Sequence, residues 1–291
     1  MGQPTFEWDS GGKHYVIREV STEAEYHAIE ALQREAWQFS DLDIMPAATM
    51  MATTVAGGCV LGAFDGGLMI GFAYGFPALE GGRPSIHSHM LAVKPEYRNV
   101  QAGFYLKLAQ RDFALRHNLD EISWTYDPLQ SLNAHLNFGK LGVICERYLV
   151  NFYGEATSSP LHQGFGTDRL WVRWLISSHH VKTRIHRDQA AARTANIVAD
   201  VEAATQAALV VNEAGEPRLQ DFAARLADDS CMIEIPHDIT ALKARQPQQG
   251  VRWREATRAA FLAALEAGFV IEDFLRADTA SGPRWFYVLG R

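Results

Sequence analysis

The sequence predicts a mixed α/β (α+β) fold in which strands alternate with amphipathic helices. Two observations support this prediction. Apolar residues recur at helical spacing in some segments and form short alternating or continuous apolar runs in others. Glycine-rich turn signals separate these segments. The order from residue 13 to residue 176 is βα(α)βββαβαββ, and a smaller α+β region follows it.

The first elements are a strand at Tyr15–Val20 and a helix at 22–38. Thr22 and Glu25 form a capping-box pattern, because each side chain can accept a hydrogen bond from the other residue's backbone N–H. A Met-rich stretch, Met45–Met51, predicts a second short helix.

A hairpin and a further strand come next. Asp65-Gly66-Gly67 lies between apolar runs at 58–64 and 68–76, and an Asp-Gly pair suits a tight hairpin turn. A third strand covers Ser85–Val93. Residues 102–117 read as an amphipathic helix with one apolar face. Lys107, Gln110 and Arg111 fall outside that face.

The remaining elements suggest three regions: a first domain at 1–177, a polar helical linker at 178–206 and a C-terminal α+β extension at 207–291. The expected elements are a strand at Glu121–Tyr126, a helix at 130–141, strands at 143–153 and 170–176, then strands at Leu209–Val211, Met232–Ile235, 269–275 and 285–289 with a helix at 251–267.

Composition narrows the class of protein. Hydrophobic residues make up 47% of the 291, enough for a buried core. The net charge of -7 argues against general binding to nucleic acid or anionic membranes, which requires a basic face. No secretory signal or membrane-spanning run is expected, the three cysteines form no disulfide framework, and no metal site is expected. We therefore expect a cytoplasmic protein.

The segment from Leu91 to Phe104 carries the chemistry. A strand stops at Pro95, a short loop follows, and a helix opens near Ala102. The first turn of a helix exposes unpaired N–H groups and the positive end of the dipole, so it suits a phosphate. Arg98 adds a forked cation for phosphate oxygens.

This layout resembles the pyrophosphate-binding motif of the Gcn5-related N-acetyltransferase (GNAT) family. In that motif an Arg or Gln is followed by glycines three and five residues on. Arg98 and Gly103 match, Gln101 stands at the first glycine position, and Asn99 follows the arginine. The resemblance implies a mostly antiparallel sheet flanked by helices, and acetyl-CoA as co-substrate. It implies cofactor contacts from Leu91, Val93, Arg98, Asn99, Gln101, Ala102, Gly103, Phe104 and Asn133.

A second stretch, from Asn133 to Gly142, is similar to the family's later signature. By this resemblance Asn133 would touch the pantetheine arm. The family often has a tyrosine where Phe138 stands, and that phenol protonates the leaving thiolate. Phe138 cannot do so, which leaves another group, solvent, or a protein that is not catalytic.

The candidate bases are His87 and His89, which are two residues apart on a strand and so share a face. By the family pattern His89 lies near the cleft; a structural or merely exposed histidine is the alternative. Glu146 is a third candidate. It is expected to share a face with Tyr148, and the two would either line the acceptor side or form a solvated edge.

Two hypotheses about function follow. The first is an acyl-CoA-dependent N-acyltransferase acting on a small-molecule or peptide amine by direct transfer. The second is a binding or regulatory module that kept the fold and lost the chemistry. The oligomeric state, including a homodimer, stays open.

Overall fold

The computed structural model describes residues 6–154, 165–190, 201–280 and 282–291. These residues form two compact units. The first unit spans residues 6–124, and the second spans the described residues from 125 to 291. Within the described ranges, no helix combines the length and the apolar character that crossing a membrane requires.

The first unit is a mostly antiparallel sheet with helices packed against it, which confirms the predicted fold class. Its strand order is β1-β2-β3-β4-β5-β6, and β5 and β6 run parallel. The strands are β1 (Phe6–Ser10), β2 (Lys13–Glu19), β3 (Cys59–Asp65), β4 (Leu68–Glu80), β5 (Arg83–Val93) and β6 (Glu121–Tyr126). The helices are α1 (Glu23–Trp37), α2 (Ala47–Val55) and α3 (Ala102–Arg116), with a 3₁₀ turn at Pro95–Val100 before α3.

Helix α1 begins where the capping box predicts. The Thr22 hydroxyl accepts a hydrogen bond from the Glu25 N–H at 3.4 Å, and the Glu25 carboxylate accepts from the Thr22 N–H at 3.3 Å. Tyr26, Ile29 and Leu32 then recur on one side and join the buried cluster that also contains side chains of β3, β4 and β5. Local capping and helical periodicity together account for this element.

Strand β1 was not predicted. It pairs with β2 in antiparallel register, with Trp8 opposite Tyr15. Their rings stack with centroids 5.1 Å apart. A cross-strand aromatic pair of this kind stabilises a short edge strand, but the five residues of β1 alone show no pattern long enough to predict it.

Helix α3 is buried on more sides than its sequence suggests, so the predicted polar faces are wrong for two residues. Lys107 is 4% exposed and Gln110 is 1% exposed. The sequence places them outside the apolar face, but the sheet covers that side of the helix as well. Arg111 is only partly buried.

The second unit is also a mostly antiparallel sheet with helices packed against it. Its strand order is β8-β7-β12-β13-β11-β9-β10. The strands are β7 (Ile144–Leu149), β8 (Arg169–Leu175), β9 (Ala208–Glu213), β10 (Glu216–Leu219), β11 (Ser230–Ile235), β12 (Val270–Thr279) and β13 (Gly282–Gly290). The helices are α4 (Ser131–Ala134), which continues as a π-helical segment at His135–Leu141, then α5 (His179–Ala190), α6 (Val201–Gln206), α7 (Phe222–Arg225), α8 (Ile239–Arg245) and α9 (Pro247–Glu266).

The compact units divide at a different point from the domain boundary at 177 that the sequence predicted. Strand β7 pairs with β12, with Cys145 opposite Ile271. Residues 125–154 therefore share a sheet with the predicted C-terminal extension. Part of the predicted linker, α6, also packs into this unit through Ala204, which is buried beside Phe286.

Within the described second unit, two charged pairs join α9 to buried carboxylates. Arg254 binds both carboxylate oxygens of Asp127 at 2.7 and 2.8 Å, and these side chains are 3% and 7% exposed. Arg258 binds Asp168 at 2.8 and 2.9 Å, and the Tyr148 hydroxyl donates to the same carboxylate at 2.6 Å. These pairs stabilise the packing of α9 on the residues before β7 and β8.

Candidate functional site

Strands β5 and β6 part soon after they meet. Their parallel pairing joins Ile86 to Ile122 and His87 to Ser123. Beyond His87, β5 continues to Val93 paired with β4 alone among the described strands. A bulge in β5 at His89 accompanies this change, because Tyr74 is opposite Met90 while Gly75 is opposite Ser88. Bulges bend a strand and often re-aim its side chains.

The backbone of β5 beyond the bulge presents hydrogen-bonding groups toward the side from which β6 has parted. The Lys94 N–H donates to the Ile70 carbonyl of β4 at 2.8 Å. Backbone groups of an antiparallel strand alternate between its two neighbours. The N–H and C=O groups of Val93 and Leu91 therefore point away from β4, and no strand of the described chain pairs with them there.

The turn after β5 leads into the N-terminus of α3. Gln101 adopts the left-handed conformation, with φ 64°, and its carbonyl accepts from the N–H groups of Phe104 and Tyr105. The N–H groups of Ala102 and Gly103 belong to the first turn, where an α-helix supplies no acceptor. The helix start therefore offers amide donors and the positive end of its dipole.

Gln101 stands at the helix start without capping it. Its side chain is exposed and makes no capping hydrogen bond. The left-handed φ explains why glycine suits this position in the motif that the chain resembles. Gly103 is different, because a Cβ there would only make ordinary contacts with Leu91 at 3.7 Å and Val93 at 4.0 Å. The packing of the described residues does not require glycine at 103.

Three contacts hold the turn against the first unit. The Trp8 indole N–H donates to the Val100 carbonyl at 2.8 Å, and the Tyr97 hydroxyl donates to Asp65 at 3.1 Å. Lys94 pairs with Glu35 of α1 at 3.0 Å. The sequence alone does not reveal Trp8 in this role, since the contact spans 92 positions. The turn is thus fixed before any ligand arrives.

Arg98 and Asn99 are both exposed on this turn. Arg98 forms no ion pair with another residue in the described part of the chain. Its guanidinium is therefore available to an anion at the helix start.

His87 and His89 lie on the same side of β5, as predicted. Their ring centroids are 6.3 Å apart, and both lie beside Phe76, at 5.3 and 5.6 Å. His87 is buried, and its Nδ1 is 3.0 Å from the Ser123 hydroxyl of β6. His89 is partly buried, and burial lowers its pKa, so its imidazole is neutral near pH 7.

The other predicted residues belong to the second unit. Glu146 is exposed and pairs with Arg173 at 2.9 Å. A bulge at Glu146 breaks the alternation of β7, so the expectation that Glu146 shares a face with Tyr148 is wrong: Tyr148 is buried. Asn133 is exposed on α4.

Phe138 lies in the core of the second unit, so a phenol at this position could not reach a ligand bound at the unit's surface. It is fully buried, and its ring packs edge-on against Tyr287 with centroids 5.7 Å apart. The residue is a core side chain of the second unit.

Comparisons with known proteins give structural similarities alone. No protein-family model matches the chain, and no curated protein matches it. Among solved structures, the ribosomal-protein-S18-alanine N-acetyltransferase from Escherichia coli aligns with 56% of this chain and 95% of its own, at 16% identity and a TM-score of 0.45. The ribosomal-protein-S5-alanine acetyltransferase from Vibrio fischeri aligns with 60% and 98%, at 13% identity and a TM-score of 0.46. An acetyltransferase of the GNAT family from Streptococcus pneumoniae aligns with 55% and 98%, at 16% identity and a TM-score of 0.43.

Proposed function

We propose that this protein is a GNAT-type N-acyltransferase that transfers an acetyl group directly from acetyl-CoA to an amine. One observation carries the proposal. Beyond His87, β5 has parted from β6 and turns the backbone groups of Leu91 and Val93 outward, and it ends at a helix start beside Arg98. A long, flexible ligand with an anionic end fits this sequence of features.

The anionic end would bind at the start of α3. Two phosphate groups can accept from the amides of Ala102 and Gly103, and Arg98 can add a charge-assisted hydrogen bond. Asn99 and Gln101 are exposed beside them, and Phe104 anchors the first turn in the core. Because the turn is already fixed by Trp8, little ordering is required on binding.

The pantetheine arm would lie along β5. Its amide groups can pair with the outward N–H and C=O groups of Val93 and Leu91, as an added strand would. This arrangement directs the far end of the arm along β5 from Val93 toward His89 and the point where β6 departs. Asn133 in the second unit remains part of the proposal only through the sequence resemblance.

Direct transfer needs an amine nucleophile in its neutral form. His89 is the favoured base, because it is only partly buried and burial keeps its imidazole neutral. It could take the proton that the amine loses as the new C–N bond forms. His87 is less suited, since its Nδ1 already contacts Ser123. A small-molecule or peptide amine is the acceptor class we propose.

The proposal includes a cytoplasmic location. Cys59, Cys145 and Cys231 are free thiols buried in the structure. Free buried thiols suit a reducing compartment.

Acetyl-CoA binding tests the proposed function. At a ligand concentration of about 100 times the dissociation constant, acetyl-CoA should raise the free energy of unfolding by about 2.7 kcal/mol. Thermal melting and titration calorimetry measure this. Replacement of Arg98 by Gln should weaken binding about tenfold or more, because a hydrogen bond to a charged group contributes about 1.5–3 kcal/mol.

Arg83→Gln provides the matched control. Arg83 is exposed at the opposite end of β5 from the turn. Its replacement should leave the affinity unchanged. A wild-type protein that shows no stabilisation and no heat of binding at millimolar acetyl-CoA contradicts the proposal and favours a fold that has lost the cofactor.

A further inference from the structure

Lys107 is a buried cation on α3 with no carboxylate partner in the described chain. Its side chain is 4% exposed. The ammonium donates to the Ser88 hydroxyl at 2.8 Å and lies 3.6 Å from the centroid of the Trp124 ring. Lysine is rarely buried without a paired charge. Its position therefore calls for an explanation beyond packing.

These two contacts place the ammonium where β5 and β6 separate. Ser88 directly follows His87, the last residue of β5 that pairs with β6. Trp124 directly follows Ser123, the corresponding residue of β6. The Lys107 ammonium thus lies beside the residues that directly follow the last pair joining β5 and β6.

A second buried donor lies beside it. The Ser88 hydroxyl donates to the Gln110 carbonyl oxygen at 2.9 Å. The Gln110 amide nitrogen is buried and has no hydrogen-bond partner in the described chain. The ammonium also has N–H groups beyond the one that it gives to Ser88. Buried N–H donors are unfavourable unless a hydrogen-bond acceptor binds them.

The helix aligns these donors with the rest of the proposed ligand path. Gly103, Lys107 and Gln110 lie four and three residues apart, so they share one side of α3. Gly103 faces Leu91 and Val93, and Lys107 faces Ser88 further back along β5. A chain that starts at the helix and follows β5 therefore ends at Lys107.

We propose that Lys107 and Gln110 bind the sulfur of the acyl-CoA and that Lys107 gives its proton to the departing thiolate. This inference rests on the proposed function. The amine nitrogen forms a bond to the thioester carbon, and the tetrahedral intermediate collapses with cleavage of the C–S bond. The electron pair passes to sulfur, which takes the Lys107 proton to give the free thiol. The amine's lost proton goes to His89 or water, and Lys107 regains a proton from solvent.

The acidity of Lys107 suits this role. Burial lowers its pKa to about 7, so the ammonium is a much better proton donor than an exposed lysine. The groups that face it are Ser88 on β5, Trp124 on β6, Gln110 on α3 and the buried Cys59 thiol on β3. Burial raises the pKa of Cys59, so that thiol stays neutral where Lys107 titrates.

The pKa of bound CoA thiol tests the inference without knowledge of the acceptor amine. We would follow thiolate absorbance of CoA in complex with the full chain from about pH 6 to about pH 9, a range that spans the usual thiol pKa of about 8.5. Wild-type protein should lower the bound thiol pKa by about one unit. Lys107→Met should abolish this shift, while Lys182→Met, at an exposed lysine of the second unit, should keep it.

A second measurement uses wild-type protein, so it tests the inference even if the Lys107→Met variant does not fold. Wild-type protein should bind CoA more tightly than desulfo-CoA, with a preference that grows by about tenfold in all as pH rises from the lowered thiol pKa to the ordinary one. Equal affinities, or a thiol pKa that Lys107→Met leaves unchanged, overturn the inference while CoA binding itself upholds the proposed function. Absence of CoA binding by wild-type protein overturns both.

Discussion

Replacement of Lys107 by methionine should change how the stability of the free protein depends on pH. Methionine keeps the length and most of the volume of the side chain but removes the charge. In the folded protein burial lowers the pKa of Lys107 from 10.5 to about 7, whereas in the unfolded chain it returns to the ordinary value. Between these two values the unfolded chain binds more protons, so wild-type stability should rise as pH rises.

The size of the effect follows from that shift. Each pKa unit corresponds to 1.36 kcal/mol, so the charged form of Lys107 should destabilise the folded protein by as much as about 5 kcal/mol below pH 7. Lys107→Met should therefore be more stable than wild type by up to this amount near pH 6. The difference should shrink as pH rises and approach its minimum near the ordinary lysine pKa.

Urea unfolding followed by circular dichroism at several pH values measures this. Lys182→Met should track the wild-type curve, because Lys182 is exposed. Other titrating groups are common to the variant and the wild type and cancel in the difference. A difference between Lys107→Met and wild type that stays constant with pH would refute the view that Lys107 is buried with a lowered pKa.

Three further variants test the second unit and the helix cap. Asp127→Asn should lower the free energy of unfolding by about 3–5 kcal/mol, because it leaves the Arg254 charge buried without its partner; urea unfolding measures this, and a loss below about 1 kcal/mol contradicts the pair's burial. Phe138→Tyr should lower stability by about 1–3 kcal/mol, since the site is fully buried and the added hydroxyl would lose its contact with water; a rise in transferase activity in place of this loss would contradict the core assignment. Thr22→Ala should cost about 1 kcal/mol in thermal melting by removing the α1 cap, and no change would contradict the capping box.

The elements that the sequence predicted are those that local physics determines. Thr22 and Glu25 cap α1 within one helical turn. The backbone preference of Asp65-Gly66 alone determines the hairpin turn between β3 and β4. The break at Pro95 and the helix start near Ala102 follow from the same kind of signal. For these features the residues of the segment itself are sufficient to determine the structure.

The features that the sequence did not predict depend on partners far along the chain. Asp127 and Arg254 are 127 positions apart, so neither segment alone reveals their pairing. The bulges at His89 and Glu146 arise from register against neighbouring strands, and no local pattern marks them. The bulge at Glu146 changes which side chains of β7 share a face, which is why the grouping of Glu146 with Tyr148 was wrong.

The same distinction explains why the sequence does not single out Lys107. Phe138 lacks the phenol of the motif that the chain resembles, and the sequence leaves open whether another group or solvent would protonate a thiolate, or whether the protein is not catalytic. Lys107 looked like an ordinary polar residue of an amphipathic helix, because lysine usually marks the solvent side. The contacts of the ammonium with Ser88 on β5 and Trp124 on β6 show that the sheet covers this side of α3. The proposed role of Lys107 therefore depends on the register of two strands, and a variant that extended their pairing beyond His87 should remove the arrangement on which both proposals rest.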